Sequence, residues 1–600
     1  MKTPLTIIFY LLTIITLSSC HKPDEGKGKA IFRYNESAGI ATLDPAFAKD
    51  QALSWAASQL FNCLVRIPTA PDAADSPSDS ISPSIAKSWT VSDDGLTYTF
   101  TLNNNIYFHK DPAFNTIDST RVVVASDVVY SFNRIIDPHI ASPGRWLFAQ
   151  VAPDGFQAPD DTTFVLRLKE PFAPMLSLLA LPYCSIVPHE ALTRYGEDFR
   201  RHPVGTGPFR FQYWKEGVKL VLRKNPLYFE FDTQPPSQDS LTHVTALRSP
   251  LSVLRFQLPV LRSPLSAPNS PHRLPYLDAV AVTFIIDKQT AFLEFIKGNL
   301  DFMNSLDASY KDEILTPDGK LKDKYADRID MVSLPFLNTE YLGFNIDTAI
   351  TGMSPEQYRL VRQAINYGFD RKKMMRYLRN NVGQPGLCGF VPPQCLPSHP
   401  VNPENQKSGN PPYGYTYDPV QTRQLLRQAG YPDGHGLPPI TLATTSSYLD
   451  LCKYIQQQLS LCGIHIKLDV NPPAALREQI AQGKSLWFRG SWIADYPDPE
   501  NYLTLFYSPN LAPAGPNYTH FNSKAYDKLY EKSLKEPNPN KRFQLYRQMD
   551  SLIMQDAPVV ILYYDQILHF THNNIHGVRT NSMNTLDLRY VQKSPVSHNP

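Results

Sequence analysis

The chain reads as an α/β protein of at least two lobes, on three observations. Its 600 residues exceed what one simple hydrophobic core encloses. A succession of strand Ile440 to Thr444, helix Leu449 to Leu461 and strand Ile464 to Val470 has the pattern of a β-α-β unit. The stretch Pro203 to Phe229, PVGTGPFRFQYWKEGVKLVLRKNPLYF, reads as a hairpin with one buried face. Gly205, Gly207 and Pro208 are expected to form a tight turn there, glycine by adopting positive φ and proline by fixing its own. Phe209, Phe211 and Tyr213 then alternate with Arg210, Gln212 and Trp214, and a second alternating run, Lys219 to Arg223, follows a Glu216-Gly217 turn.

The N-terminus reads as a secretory signal over residues 1–19: Lys2, an apolar run from Leu5 to Leu17, then small residues before Cys20. The run is too short for a membrane span, which needs about 20 residues. Leu17-Ser18-Ser19-Cys20 resembles a bacterial lipobox, which implies that Cys20 becomes the lipidated first residue of the mature chain. Residues 20–29 are polar and glycine-containing, as a tether between lipid and fold should be. The mature protein is therefore expected on the extracytoplasmic, periplasmic side of a bacterial membrane, held there through its N-terminal lipid.

Charge is nearly balanced, 58 basic against 56 acidic residues, so nothing points to a nucleic-acid partner. The 32 tyrosines suit a groove lined with amphipathic rings, and equally an ordinary scaffold. Six cysteines accompany Cys20: Cys63, Cys184, Cys388, Cys395, Cys452 and Cys462. In an oxidising envelope they can pair, and Cys388 with Cys395, flanking the turn Gly389 to Pro393, is the first candidate for a bridge. No C-x-x-C pair or His-x-His cluster suggests structural zinc, and no metal or cofactor is expected.

Along the chain, Thr42-Leu43-Asp44-Pro45-Ala46 precedes a helical stretch leading to Leu60 to Val65, and the Pro, Ser and Asp-rich run Pro68 to Pro83 reads as loop. Ser92 to Leu102 is an alternating strand after an Asp-Gly turn. Ala125 to Phe132 is a helix that Ser126 or Asp127 can cap. Asp160 to Leu168 gives another strand, and Glu170-Pro171-Phe172 opens the next helix. Leu247 to Ser252 returns nearly unchanged as Leu261 to Ser266, in a proline-rich insertion that reads as a surface loop or, more sharply, a partner-docking arm. Asp287 to Asp301 is a helix closed by Gly298. Val361, Ile365 and Phe369 share one helical face, and Asp418-Pro419 opens a helix that stops at Gly430.

GTGPF, W-x-x-G and N-P-x-Y-F in Gly205 to Phe229 closely resemble the solute-binding proteins of peptide ABC importers, family 5, and the resemblance extends over nearly all of the mature chain. It implies a periplasmic-binding-protein-like type II (cluster C) fold, two α/β lobes plus an extra subdomain, closing like a clamp by hinge motion. The expected division is lobe I at 30–70, 200–334 and 566–600, with the atypical insertion 231–270; the extra subdomain at 71–199; and lobe II at 335–565. The resemblance implies no enzyme, and neither G-x-S-x-G nor H-E-x-x-H occurs. It implies a monomer that delivers short peptides to a permease and ATPase complex; a non-peptide ligand (nickel chelate, haem or sugar) and a sensor without transport are the rivals. In such relatives the aspartate matching Asp495 pairs with the ligand's α-ammonium, and the arginine matching Arg489 meets the peptide carboxylate in some. A helix cap near Pro497 is the alternative role for Asp495. Trp492 and Tyr496 are expected either to wall the cleft or to sit in the core.

Overall fold

The computed structural model describes residues 28–69, 81–232, 272–304, 307, 310–347, 353–396 and 414–595. The signal, Cys20 and residues 233–270 of the insertion, with both copies of its repeat, lie outside the described residues.

Two long strands, Ile329–Phe344 and Val559–His572, run antiparallel through the middle of an eleven-stranded sheet. On one side the sheet continues through Phe302–Asn304, Ile31–Asn35, Ala279–Thr283, Lys219–Lys224 and Phe209–Lys215, which build the first lobe. On the other it continues through Trp487–Ile493, Ile440–Thr444 and Ile466–Val470, which build the second. Ile440–Thr444 and Ile466–Val470 lie parallel, joined by helix Leu449–Ser460, as the β-α-β pattern predicts. The extra subdomain centres on a separate antiparallel sheet of Ala86–Val91, Thr97–Leu102, Thr163–Leu168 and Val151–Gln157. Its core merges with that of the first lobe, where Phe100, Phe132 and Phe164 cluster with Phe32, Leu60 and Phe209.

Between Pro335 and Thr339 one long strand spends four residues where its partner spends two: Pro335 faces Gln566, and the next pairing sets Thr339 against Tyr564. Such a mismatch bends and twists a sheet. It falls where the sheet passes from one lobe to the other. Beside it, buried Arg371 ties helix Arg371–Arg379 to the second long strand, donating from Nε to the Ile561 carbonyl (2.6 Å) and from Nη1 to that of Asn366 (2.8 Å).

Helix starts follow their capping residues. Asp50, Asp287, Ser354, Asp370, Asp418, Ser523 and Asn538 each accept an amide of the first turn. At helix Ala125–Ile136 it is Asp127, not Ser126, that reaches back, to the Val124 amide (3.0 Å). The helix expected at Glu170 begins later, at Met175.

Two expectations for the hairpin need correcting. Gly205 and Gly207 are not positive-φ residues; they are glycines because the backbone there abuts the end of helix Gln51–Leu60, and a Cβ would run into the main-chain oxygens of Leu60 and Gln59. Buried His109 completes the contact, with Nδ1 accepting from Gly205 N (3.3 Å) and Nε2 donating to the Gly207 carbonyl (3.1 Å). The second correction is a register shift between Phe211 and Tyr213, which interrupts the alternation and leaves Tyr213 exposed while Trp214 packs against the core. Gly217 does take positive φ (67°) in the turn.

Cys388 and Cys395 are not bridged in the structure. Hydrogen bonds hold the turn between them instead: Tyr564 donates its hydroxyl to the Gly389 carbonyl, and the Phe390 amide donates to Asp550 (2.8 Å).

The glycine contact yields a direct test. Gly205→Ala and Gly207→Ala should each lower stability by about 1–3 kcal/mol through overpacking against backbone that cannot yield. Denaturant titration of each variant measures it; unchanged midpoints would mean the approach is looser than described.

Candidate functional site

A cavity of about 700 Å³ opens where the lobes meet. Helix Gln51–Leu60 and its flanks form one wall, Trp146 and the segment Ala180 to Ser185 a second, and the strand crossover at Phe336 and Asp565 to Ile567 the floor. Ile493, Ala494 and Asp495 enter from the second lobe. The volume lies within the range of small-ligand sites, about 300–1,000 Å³. A second cavity of about 1180 Å³, between the loop Ala41 to Leu53 and the segments around helix Ala125–Ile136, shares Lys49 and Asp50 with the first.

Asp495 lies two residues past the end of strand Trp487–Ile493, whose extension is pinned where the Ala494 amide donates to the Leu337 carbonyl (2.8 Å). Buried Asn501 shapes the loop, its Oδ1 accepting from Trp492 Nε1 (2.9 Å) and from the Asp495 amide (3.0 Å). The Asp495 carboxylate keeps one distant contact, Asn501 Nδ2 at 3.4 Å. Among the described residues no cation pairs with it. Its side chain reaches the water of the cleft, but the enclosing walls displace bulk solvent, and that desolvation raises its carboxyl above the ordinary range, against the weaker pull of Asn501. Asp495 caps no helix: the short helix Glu500–Leu503 has Pro499 at its N-cap, and the Glu500 amide donates to Asp498 at 2.8 Å.

The other three expected residues do not line this cavity. Arg489 lies within the strand rather than in a loop, opposite Leu342. Its guanidinium is paired with buried Glu340 and rests 3.4 Å above the centre of the Tyr448 ring. That carboxylate takes the place of a ligand's. Trp492 is half-buried, its indole committed to Asn501 and its ring packed on the second-lobe core. Tyr496 is buried, donates its hydroxyl to Glu500, and supports Trp146, whose ring centre is 6.3 Å from its own. Of these two rings, Trp146 reaches the cavity.

Several lining residues carried no signal in the sequence. Tyr183 sits close enough to Asp495 and Asp50 that, after burial, those carboxylates help push its phenol up to about 12. Asp565 pairs with Arg379 (2.8 Å). At the far end Arg66 pairs with Glu230, and Arg589 with Glu230 and Asp587. Asp50 is the N-cap of helix Gln51–Leu60, a position that marks the helix and not the cavity. Asp127, His189 and Glu190 come together with metal-like spacing, yet Arg121 donates to both carboxylates, at 2.7 Å to each, and its charge serves in place of a metal ion.

An inter-lobe cavity with an uncompensated carboxylate on a two-lobed α/β frame defines a solute receptor of the type II binding-protein class. The family model described as bacterial extracellular solute-binding proteins, family 5 middle, matches residues 80–513, and the chain belongs to that family. It is 24% identical over 500 residues to the glutathione-binding protein GsiB of Salmonella typhi, covering 82% of each chain. Among solved structures it resembles HbpA2 from Haemophilus parasuis (TM-score 0.73, 20% identity, 94% of this chain and 100% of that one). It also resembles the periplasmic binding protein DppA from Helicobacter pylori in complex with the peptide STSA (TM-score 0.65, 23% identity, 93% and 98%). Among the described residues no helix is long and apolar enough to cross a membrane.

The buried carboxyl behind Tyr496 gives this site a pH signature. Burial lifts Glu500 from 4.5 to about 7, more than the hydrogen bonds from Tyr496 and Tyr530 lower it. A carboxyl raised in the folded state binds a proton that the unfolded chain has released, so its contribution to stability is full below about pH 4.5 and is lost as pH rises through about 7. Glu500→Gln removes that titration. Relative to wild type it should therefore gain roughly 3 kcal/mol between pH 4.5 and 8, read from unfolding midpoints across pH. A difference that does not vary with pH would sink the assignment.

Proposed function

We propose that this protein is an extracytoplasmic, lipid-anchored receptor that captures short peptides between its lobes and delivers them to an ABC-type import permease. The observation that carries the reading is the Asp495 carboxylate, which faces the inter-lobe cavity with no cationic partner among the described residues. A free α-ammonium is common to unblocked peptides of any sequence, and a charge-assisted bond in a desolvated cleft is stronger than one in water. An extended peptide can add its main chain to this frame while its side chains enter hydrated space. Ligand touching both lobes would favour the closed arrangement over an open one. The peptide-bound relative and the glutathione-binding relative support this ligand class.

Ligand class is checked by melting. Di- to hexapeptides should raise the melting temperature by mass action, and free metal ions and sugars should not. A shift with a nickel chelate, haem or a sugar but with no peptide would assign the protein to a different ligand.

The carboxylate itself is checked by Asp495→Asn, which keeps shape and removes charge. Altering one partner of a desolvated charge pair costs on the order of 3–5 kcal/mol, so peptides with a free N-terminus should lose at least about 100-fold in affinity. N-acetylated peptides should bind wild type poorly and change far less. Equal losses for both would make Asp495 a scaffold residue.

The anchor follows from Cys20 behind Leu17-Ser18-Ser19. Wild type should partition with membranes and Cys20→Ser should release it. A mature N-terminus that is unmodified, or lies elsewhere, rejects the anchor.

A further inference from the structure

The cavity that holds Asp495 has three basic side chains on its wall: Lys49, Arg66 and Arg589. Two of them are spent. Arg66 is paired with Glu230, and Arg589 with Glu230 and with Asp587 at 2.6 Å, a neutral cluster of two cations and two anions that Thr69 closes by donating to Asp587 (2.9 Å). Lys49 is different. Among the described residues no carboxylate lies within ion-pairing distance of its ammonium. Neighbouring Asp50 turns its own carboxylate to the Leu53 amide (2.9 Å), the N-cap bond of helix Gln51–Leu60.

The backbone that carries Lys49 is held on both sides. Upstream, Asp44 accepts from the Ala46 amide (3.1 Å) and is paired with Arg134 of helix Ala125–Ile136, while Ser142 donates to the Ala46 carbonyl (2.5 Å). The Lys49 amide bonds the Phe47 carbonyl (2.7 Å). Downstream, the capped helix begins. The stem therefore fixes Lys49 on the first-lobe wall, at the rim that the two cavities share, with its side chain exposed, whereas Asp495 enters the first cavity from the second lobe.

We infer that Lys49 receives the carboxylate of the ligand, so that the cleft reads a zwitterion with its ammonium on one lobe and its carboxylate on the other. This rests on the peptide reading above, and adds the end of the ligand that Arg489, committed to Glu340, does not serve. Among the described residues the first lobe then presents one cation without an ion-pair partner and the second one such carboxylate, while Asp50 beside Lys49 is held by the N-terminus of its helix. A molecule bearing a single charge satisfies one wall and leaves the other open, so the arrangement selects for both ends at once.

The test uses one randomised tripeptide pool in three forms: unblocked, N-acetylated and C-terminally amidated. Each is titrated by calorimetry against wild type, Lys49→Gln and Lys49→Arg, with apo melting temperatures confirming folding. Amidation should weaken binding to wild type about tenfold, the size of one charge-assisted hydrogen bond at a partly solvated site. In Lys49→Gln amidation should change nothing further, while Lys49→Arg should restore the discrimination. Acetylation should weaken all three proteins alike. If amidation weakens wild type and Lys49→Gln equally, or weakens neither, Lys49 does not read the carboxylate, even where acetylation shows the ammonium to be held. A uniform loss across the three pools in Lys49→Gln would assign it to the scaffold. Failure of wild type to bind the unblocked pool would overturn the peptide reading and this one with it.

Discussion

Everything at the ligand site depends on how the two long strands cross. Ile329–Phe344 and Val559–His572 pair along most of their length and lose register between Pro335 and Thr339. Hydrogen bonding on both sides of that break keeps one sheet continuous through both lobes, and the break lets its two halves face each other across a gap. Phe336, Asp565 and Gln566 fall at the break and form the cavity floor. The same break exposes main-chain groups that outside strands then take up: Leu337 accepts from Ala494 and donates to Ser582 (2.9 Å). Position of the Asp495 loop is thus a consequence of strand pairing.

Because the crossing is buried, its polar groups must be satisfied locally. Glu340 pairs with Arg489, and Asp565 with Arg379, whose guanidinium also lies 4.1 Å from the centre of the Tyr563 ring. Arg371 has main-chain oxygens in place of a carboxylate, and burial lowers its guanidinium to about 9. Removing one member of either ion pair would strand its partner's charge. This accounts for Arg489 better than a ligand role does: a strand residue facing the second-lobe interior needs an internal counter-ion, and Glu340 on the adjacent strand supplies it.

Much of the frame was legible because local signals and tertiary packing agree. The β-α-β unit at 440–470 shows the alternation and helical period it folds with, Asp287 and Asp418 cap where an acidic residue precedes a helix, and Asp127 reaches back from the first turn of its own. Misread features have identifiable physics. The register shift at Phe211 to Tyr213 is set by the neighbouring strand, which no run of side chains records. Gly205 and Gly207 answer to a helix end about 145 residues away in sequence. At the site, Asp495 is singled out by the resemblance of its loop to that of peptide-binding relatives, and the fold places it on the cavity wall. Lys49, Trp146 and Tyr183 converge with it only through the fold, from three separate segments.

The charge economy of the cleft follows from that convergence. An aspartate in a desolvating cavity without a counter-ion is held above its ordinary pKa, a cost borne whenever the lobes approach without ligand. On the proposed reading, an ammonium arriving at Asp495 would stabilise the ionised form and pull the pKa back down, so that capture near or below the raised pKa would release a proton. Pre-paired cations such as Arg66 and Arg589 gain little from an incoming carboxylate, because their neutral cluster with Glu230 and Asp587 would have to open first. On the same reading, closure on ligand would be favoured by the groups left unpaired and not by the most numerous charges. Asp495 and Lys49 on opposing walls are then the groups that ligand would pair, because Arg66, Arg589 and Asp565 already have partners within the protein.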